Sequence, residues 1–256
     1  MSHPALTLRF FRRELTNRFA GSFSGGLWAL FQPLLDLAIK SFVFVYVFRA
    51  GVPGTTTIGY LPFLAFALWP WNAVSEGVLR ATTTIQENAA LIGKVALPRE
   101  VLVLASVATS FAIHIAGFIA IAVVLALAGQ GAYLAGLPAA VLLYIPLAVL
   151  ALGIALICAS VQVFVRDLVQ ALGPVLQLLT FCAPVYFDRS QVPEPYRGLL
   201  DLNPFTFYAE SFRALLLDYG TFDFVRLGIA VLVAASALLI GHWLFRRLDP
   251  HFEDFM

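Results

Sequence analysis

The chain is 256 residues long, 61% hydrophobic and only 12% charged, with a formal net charge of +1. A soluble domain carries about 25% charged residues, so this composition excludes an ordinary globular core and describes an integral membrane protein. The near-neutral balance also excludes a generally basic surface for nucleic acid.

Residues 4–20 read as an amphipathic helix lying on the membrane surface. Leu8, Phe11, Leu15 and Phe19 fall on one narrow face with arginines around it; packing on the protein's own inner loops is the alternative. Leu6–Phe19 holds four arginines and no continuous apolar core, unlike a cleavable signal. A spanning helix needs about 20 mostly apolar residues, and the pattern predicts six, near 27–48, 58–79, 100–128, 137–164, 168–187 and 225–246. The first is apolar apart from Asp36 and Lys40, an i,i+4 pair that a membrane helix carries when it faces protein or water. Ala29, Gln32, Pro33, Asp36, Lys40, Val43 and Val47 share its least lipid-like face. That face is either a water-accessible lining for a polar substrate or an internal ion pair that fixes helix register. Glu76, near the inner end of the second span, is either a third partner of the pair or snorkels to the interface.

The loop 82–99 lies within Arg80–Glu100, RATTTIQENAALIGKVALPRE. Asn88 is expected to cap a short helix there, and Pro98 to open the next span. Ala89, Leu91, Ile92, Val95 and Leu97 make the loop more apolar than a solvated linker requires. It is either a docking site or a connector leaning on the membrane.

Spans three and four come from Val101–Val165, which has no Asp, Glu, Lys or Arg and breaks at GQGAYLAGLP. His114, alone in span three, is expected to be packed and hydrogen-bonded. In VFVRDL the turn must be very short, making spans four and five antiparallel neighbours. Cys158 and Cys182 read as small buried hydrophobes without metal-ligand spacing. Residues 193–218 are apolar but broken by proline and charge. Pro193 and Pro195 start one short helix through Leu200. Asn203 as cap and Pro204 at the first position start a second, through Leu217, about 20 Å long and too short to cross. Phe205, Tyr208, Phe212, Leu215 and Tyr219 repeat at helical spacing on it, with Glu210 and Arg213 close together elsewhere. Such a hairpin is placed to line or close an outer mouth. With the termini inside, the inner segments hold ten Lys and Arg and the outer ones five, which favours cytoplasmic termini.

The run RDLVQALGPVLQLLTFCAPVYF through VPEPYRGLLDLNPFTFYAESFRALLL resembles the permease subunits of type-2 ABC exporters. Within that family it is most similar to those that export O-antigen, capsule and teichoic-acid chains. ENAALIGKVALPRE is similar to the family's loop after its second span. The resemblance covers essentially the whole chain, implying one all-α permease domain over 1–256: an interfacial helix 4–20, spans one to five over 27–187, gate helices within 193–218 and a last span 225–246. It implies that Glu87–Val95, with Glu87, Asn88, Leu91, Ile92 and Lys94, is the coupling helix that seats on a nucleotide-binding subunit. The gate helices bring Tyr196, Arg197, Asn203, Phe205, Tyr208, Phe212 and Arg213. Spans one and five would line the pathway at a homodimer interface, with Trp28, Gln32, Asp36, Lys40, Tyr46 and Tyr186. The implied assembly is two copies of this chain with two ATPase subunits in a bacterial inner membrane, exporting a lipid-linked polysaccharide. The chain has no G-x-x-x-x-G-K-[ST] phosphate loop, so ATP and Mg are expected on the partner and no cofactor, metal or catalytic residue here.

Trp28, Phe31, Tyr46, Tyr60, Trp69, Trp71, Tyr186 and Tyr208 are candidates for a surface on which sugar rings stack; an interfacial belt is the alternative. A small amphiphile is the competing cargo. A proton-coupled carrier with Asp36, Lys40 and Glu76 as relay is a different class, although no inverted repeat is visible. An intramembrane enzyme would need a carboxylate cluster or a nucleophile–base pair. Glu87, Glu100 and Asp167 lie on separate segments with no histidine beside them.

Overall fold

The computed structural model describes residues 3–19, 25–54, 59–92, 98–127 and 133–255, and among them it is all-helical, without strands. The helices are α1 His3–Phe19, α2 Gly25–Phe42, α3 Tyr60–Glu87, α4 Ala89–Ile92, α5 Glu100–Leu127, α6 Tyr133–Phe164, α7 Leu168–Phe181, α8 Arg197–Leu200, α9 Phe205–Leu217 and α10 Phe224–Leu248. Three stretches are long and apolar enough to cross a bilayer unaided: α5, α6, and α10 with its extension to Glu253. The other candidates each depart for a local reason. Tryptophan, proline, Asn72 and Glu76 lower the hydropathy of α3, which has the length. The charged pair interrupts α2. At 14 residues α7 is about 21 Å long, and the chain turns at Cys182 instead of continuing as helix to 187.

The core is built on α3, whose inward residues from Phe63 to Trp71 are almost wholly buried. It packs against α5, α6 and α9, with α2 and α7 on its remaining side. The tightest helix pair is α6 with α10. A Cβ on Gly153 would overlap the backbone of Ala237 and Leu238, and one on Gly241 would overlap the Gly153 carbonyl. Small residues let two membrane helices approach until their backbones touch, where lipid offers no hydrophobic drive for association. Near its N-terminal end α6 crosses α9 at Gly136, whose Cβ would overlap the Leu215 carbonyl.

Several expectations are corrected here. The turn between α6 and α7 is short, residues 165–167. Yet the two helices are not close neighbours: α6 lies along α10, α3 and α5, and α7 leans on α3. Asn88 does not cap the short inner helix with its side chain. Its Nδ2 donates to the Thr84 carbonyl at 2.9 Å and closes the end of α3, while its own carbonyl receives Leu91 and Ile92 N–H. Glu87 is the last residue of α3, so the short helix is only Ala89–Ile92; Lys94 and Val95 lie outside the described residues. Arg213 does not pair with Glu210, as set out below. Of the two cysteines, Cys158 is half-buried but Cys182 is exposed.

The amphipathic segment α1 runs along α5. Phe10 packs on the core and Leu8 is half-exposed, while Arg13 donates to Asn88 at 3.3 Å. The segment after α10 folds back as a 3-10 turn, Asp249–Asp254, and buries Phe252 between Phe164 and Phe245. Arg99 holds that turn, donating to the Asp249 carbonyl at 2.6 Å and pairing with Glu253.

Candidate functional site

The first span is regular helix only as far as Phe42, where it widens into a π turn over Val43–Val47. The register change separates the face foreseen for this span. Of that face Gln32, Pro33, Asp36 and Lys40, with Trp28, line a cleft of about 680 Å³, whereas Val43 and Val47 do not; Tyr46, the further lining candidate, is 72% exposed and packs on Phe42 instead. The cleft lies between α2, α3 and α7. Trp71, Asn72, Ser75, Glu76 and Arg80 come from α3; Gln177 and Thr180 come from α7. Tyr186 lies just beyond α7 and Arg18 arrives from α1. In a chain with so few charges, five charged side chains border this one space.

Lys40 Nζ lies 2.6 Å from Asp36 Oδ2 and 5.9 Å from the Tyr186 ring centroid. The pair is thus made within the helix and also faces the cleft, so the two readings of this face describe one arrangement. Glu76 is not its third partner. It accepts Arg80 Nε at 2.8 Å and Arg18 Nη2, and its other oxygen meets His114 Nε2 at 2.7 Å. That hub joins α1, α3 and α5. The sequence separates His114 from Glu76 by 38 residues and Arg18 by 58, which is why no spacing rule finds it.

At the opposite end of the cleft are stacked rings. Phe44 lies parallel to Tyr186 at 5.4 Å and near-parallel to Tyr60 at 5.6 Å, and the Tyr60 hydroxyl donates to the Tyr186 carbonyl at 2.7 Å. Of the other aromatic candidates, Trp28 and Phe31 stay exposed and meet edge to face at 5.4 Å. Trp69 and Tyr208 are core residues with no face free to stack on a ligand.

The hairpin residues divide into three groups. Tyr208, Phe212 and Arg213 are fully buried: Phe212 packs on Phe118 and Tyr144. Arg213 donates to the carbonyls of Phe63 at 3.0 Å, Pro184 at 2.6 Å and Val185 at 2.7 Å, its guanidinium 3.4 Å above the Phe63 ring. Asn203 and Phe205 fix the start of α9. Asn203 Oδ1 accepts the Phe205 N–H at 3.0 Å while its Nδ2 donates to Leu179 at 2.9 Å, and the Phe205 ring meets Trp71. Tyr196 is exposed, and Arg197 donates to the Val192 and Ser190 carbonyls.

Glu210 instead joins a charge network that spans the hairpin. Arg189 donates to Asp201 at 2.7 and 2.5 Å; Arg226, on α10, reaches Asp201 and Glu210 at 2.6 Å each. Hydrogen bonds from Arg189 hold the Asp201 carboxyl below the usual carboxylate range, and the same bonds raise Arg189. At the end of α3 and just after it, where the resemblance implies the coupling helix, Glu87 is exposed and accepts Thr83 Oγ1 at 2.7 Å, Leu91 is half-buried and Ile92 is buried. Among the described residues no group of three or more His, Cys, Asp or Glu comes together to hold a metal ion.

An all-helical body with three apolar helices of membrane-spanning length among the described residues, and a cleft bordered by charge, describes a membrane protein of the permease kind. The chain belongs to the ABC-2 type transporter family, whose pattern matches residues 6–217. It is 29% identical to an O-antigen export system permease protein RfbA of Myxococcus xanthus, over 98% of this chain and 95% of that protein. A Klebsiella pneumoniae protein of the same name is 25% identical over 95% and 92%. The polysialic acid transport protein KpsM of Escherichia coli is 25% identical over 93% and 92%.

Proposed function

We propose that this chain is the membrane half of an ATP-driven exporter that carries a lipid-linked, O-antigen-like polysaccharide across a bacterial inner membrane. In this reading α2, α3, α5, α6, α7 with residues 182–187, and α10 are six spans with cytoplasmic termini, and α1 lies on the inner surface. Two copies enclose the pathway with α2 and α7 facing each other, and α8 and α9 gate its outer end. Two ATP-binding cassette subunits, carrying ATP and Mg, seat on the segment around Glu87–Ile92.

The observation that carries the reading is the polar cleft, open on the side where α2 and α7 present uncovered apolar residues. Phe31, Leu35, Ile39 and Phe42 on α2, and Val175 and Leu178 on α7, stay exposed in the single chain. A second copy across a two-fold axis would bury them and close the cleft into a channel. The names of the relatives support a polysaccharide cargo, and the cleft-lining rings of Trp28 and Tyr186 support sugar stacking.

The test is to tag the protein in its native host, solubilise the membranes gently and identify what copurifies. An ATPase subunit in one-to-one ratio, lost when residues 87–95 become a Gly/Ser loop, is the expected result. Recovery of the chain alone, with flux in vesicles lacking ATP, would refute it. The His114–Glu76 pair favours a second reading, a proton-coupled carrier. In that case His114→Ala abolishes a pH-driven flux that needs no ATP.

A further inference from the structure

The Glu76 hub is short of negative charge. Two permanent cations, Arg18 and Arg80, share one carboxylate. Around the whole cleft Arg18, Lys40 and Arg80 face only Asp36 and Glu76, a surplus of one positive charge with His114 neutral. Arg18 is 13% exposed, and its Nη1 is buried with no acceptor among the described residues. Glu14, one turn earlier on α1, attracts it only at longer range. His114 is 4% exposed and its Nδ1 also lacks a partner; that atom accepts in the neutral ring and donates once the ring is protonated. A buried arginine nitrogen left without an acceptor is costly, and what would satisfy it is an anionic oxygen.

The surroundings narrow the choice of anion. Glu76 lies 16 residues along α3 from Tyr60, about 24 Å of helix. With Tyr60 at one edge of a hydrocarbon core about 30 Å thick, the hub sits roughly 6 Å inside the other edge, within an arginine side chain's reach of the headgroups. Leu68, Leu79, Leu176 and Trp28 give the same cleft apolar walls, so a ligand with an anionic head and an aliphatic chain fits both ends. The anions abundant at that level are phosphates, and arginine's planar fork suits them. We propose that the Arg18–Arg80–His114 end of the cleft binds the phosphate of a lipid headgroup, which takes the free Arg18 Nη1 and balances the surplus charge. This rests on the proposed function, in which the termini are cytoplasmic and the Glu76 end of the cleft is the inner one. The phosphate has two possible sources, the anchor of the exported molecule or a resident anionic phospholipid. In either case the ligand competes with Glu76 for Arg18 and so loosens the tether between α1 and the cleft.

The test uses the full chain purified in neutral detergent, with no ATP and no partner. Native mass spectrometry follows retention of phosphatidylglycerol and of farnesyl diphosphate, with phosphatidylcholine as reference. Arg18→Gln is expected to weaken retention of the anionic lipids about tenfold, the loss of one charge-assisted bond, and Arg18→Lys to restore most of it. Glu76→Gln removes the competing carboxylate and is expected to tighten retention several-fold, a gain that a merely structural role would not produce. Gel filtration identifies any variant that fails to fold, and Arg80→Gln then replaces it. Preference for farnesyl diphosphate supports the site and assigns it to the exported anchor; equal retention supports it and assigns it to resident lipid. Inorganic pyrophosphate binding as tightly as either lipid would overturn the lipid assignment. Unchanged retention in folded Arg18→Gln and Glu76→Gln would overturn the site itself and leave the ATPase copurification result standing.

Discussion

Replacing Arg213 by alanine removes a fully buried cation that has no direct ion pair among the described residues, Asp188 and Glu210 attracting it only at longer range. Its three donors hold the carbonyls of Phe63 in α3 and of Pro184 and Val185 in the turn after α7. One side chain therefore ties α9 to two other elements. Hydrogen bonds between membrane helices average about 0.6 kcal/mol, whereas bonds to charged groups in soluble proteins reach about 1.5–3 kcal/mol. Three of them give a lower bound near 2 kcal/mol, and the 3.4 Å contact over Phe63 adds to it. At roughly 2–4 °C per kcal/mol for a chain of this size, Arg213→Ala should lower the melting temperature in detergent by about 5 °C or more. Fluorescence-detected gel filtration after heating measures it. Arg213→Lys should recover only part, because an ammonium cannot hold three diverging carbonyls in one plane. A melting temperature within 1 °C of the parent for Arg213→Ala would refute the argument that this residue pins the hairpin.

Asp201→Asn should lower the melting temperature by about 1–2 °C at neutral pH, a small effect because the Asp201 side chain is 44% exposed. The Asp201 carboxyl is depressed in the folded state, so its stabilisation is present above the unfolded value near 3.9 and is lost as pH falls through the folded one. The difference between parent and variant should hold from about pH 5 to 8 and vanish in strong acid, as melts across that range would record. Gly153→Val should cost about 1–3 kcal/mol by pushing α10 off α6, read as lost folded yield. Arg99→Ala should free the turn at Asp249–Asp254 and raise the rate of limited proteolysis there several-fold. Asp36→Asn should leave ATP-driven flux within about twofold and without new pH dependence; loss of a pH-driven flux would favour the proton-coupled reading.

Helix positions were legible wherever composition alone decides. The uncharged run Val101–Val165 gives α5 and α6, and the proline and asparagine signals around 193–204 announce two short helices. Apart from the Asp36–Lys40 pair, the polar partnerships were not legible, because most of the decisive ones are made between distant elements. Glu210 has Arg213 three residues away yet bonds Arg226, since burial turns Arg213 toward backbone carbonyls. Asn88 carries a cap's side chain, but it closes the longer helix before it, where both its backbone N–H and its Nδ2 reach the Thr84 carbonyl. The π turn at Val43–Val47 leaves no mark in a run of β-branched and aromatic residues that also suits regular helix. That is why Val43 and Val47 leave the face on which the 3.6-residue period places them with Asp36 and Lys40.

The placement of charge then divides the molecule by role. On α5, α6 and α10 charge occurs only at the ends, and these helices join to each other and to α3 by close backbone approach and aromatic edges. Elements of that kind resist rearrangement, because moving them opens voids along their whole length. The side where α2 and α7 lean on α3 is held differently. Its ties are a few polar bonds, Arg18 and His114 to Glu76 at one end of the cleft and Asn203 to Leu179 at the other, and each can be exchanged for a bond to a ligand or to water at small cost. A transporter must keep one wall fixed while the other moves against it. In the proposed exporter, the distribution of packing and charge favours α3, α5, α6 and α10 as the fixed wall and α2 and α7 as the moving one.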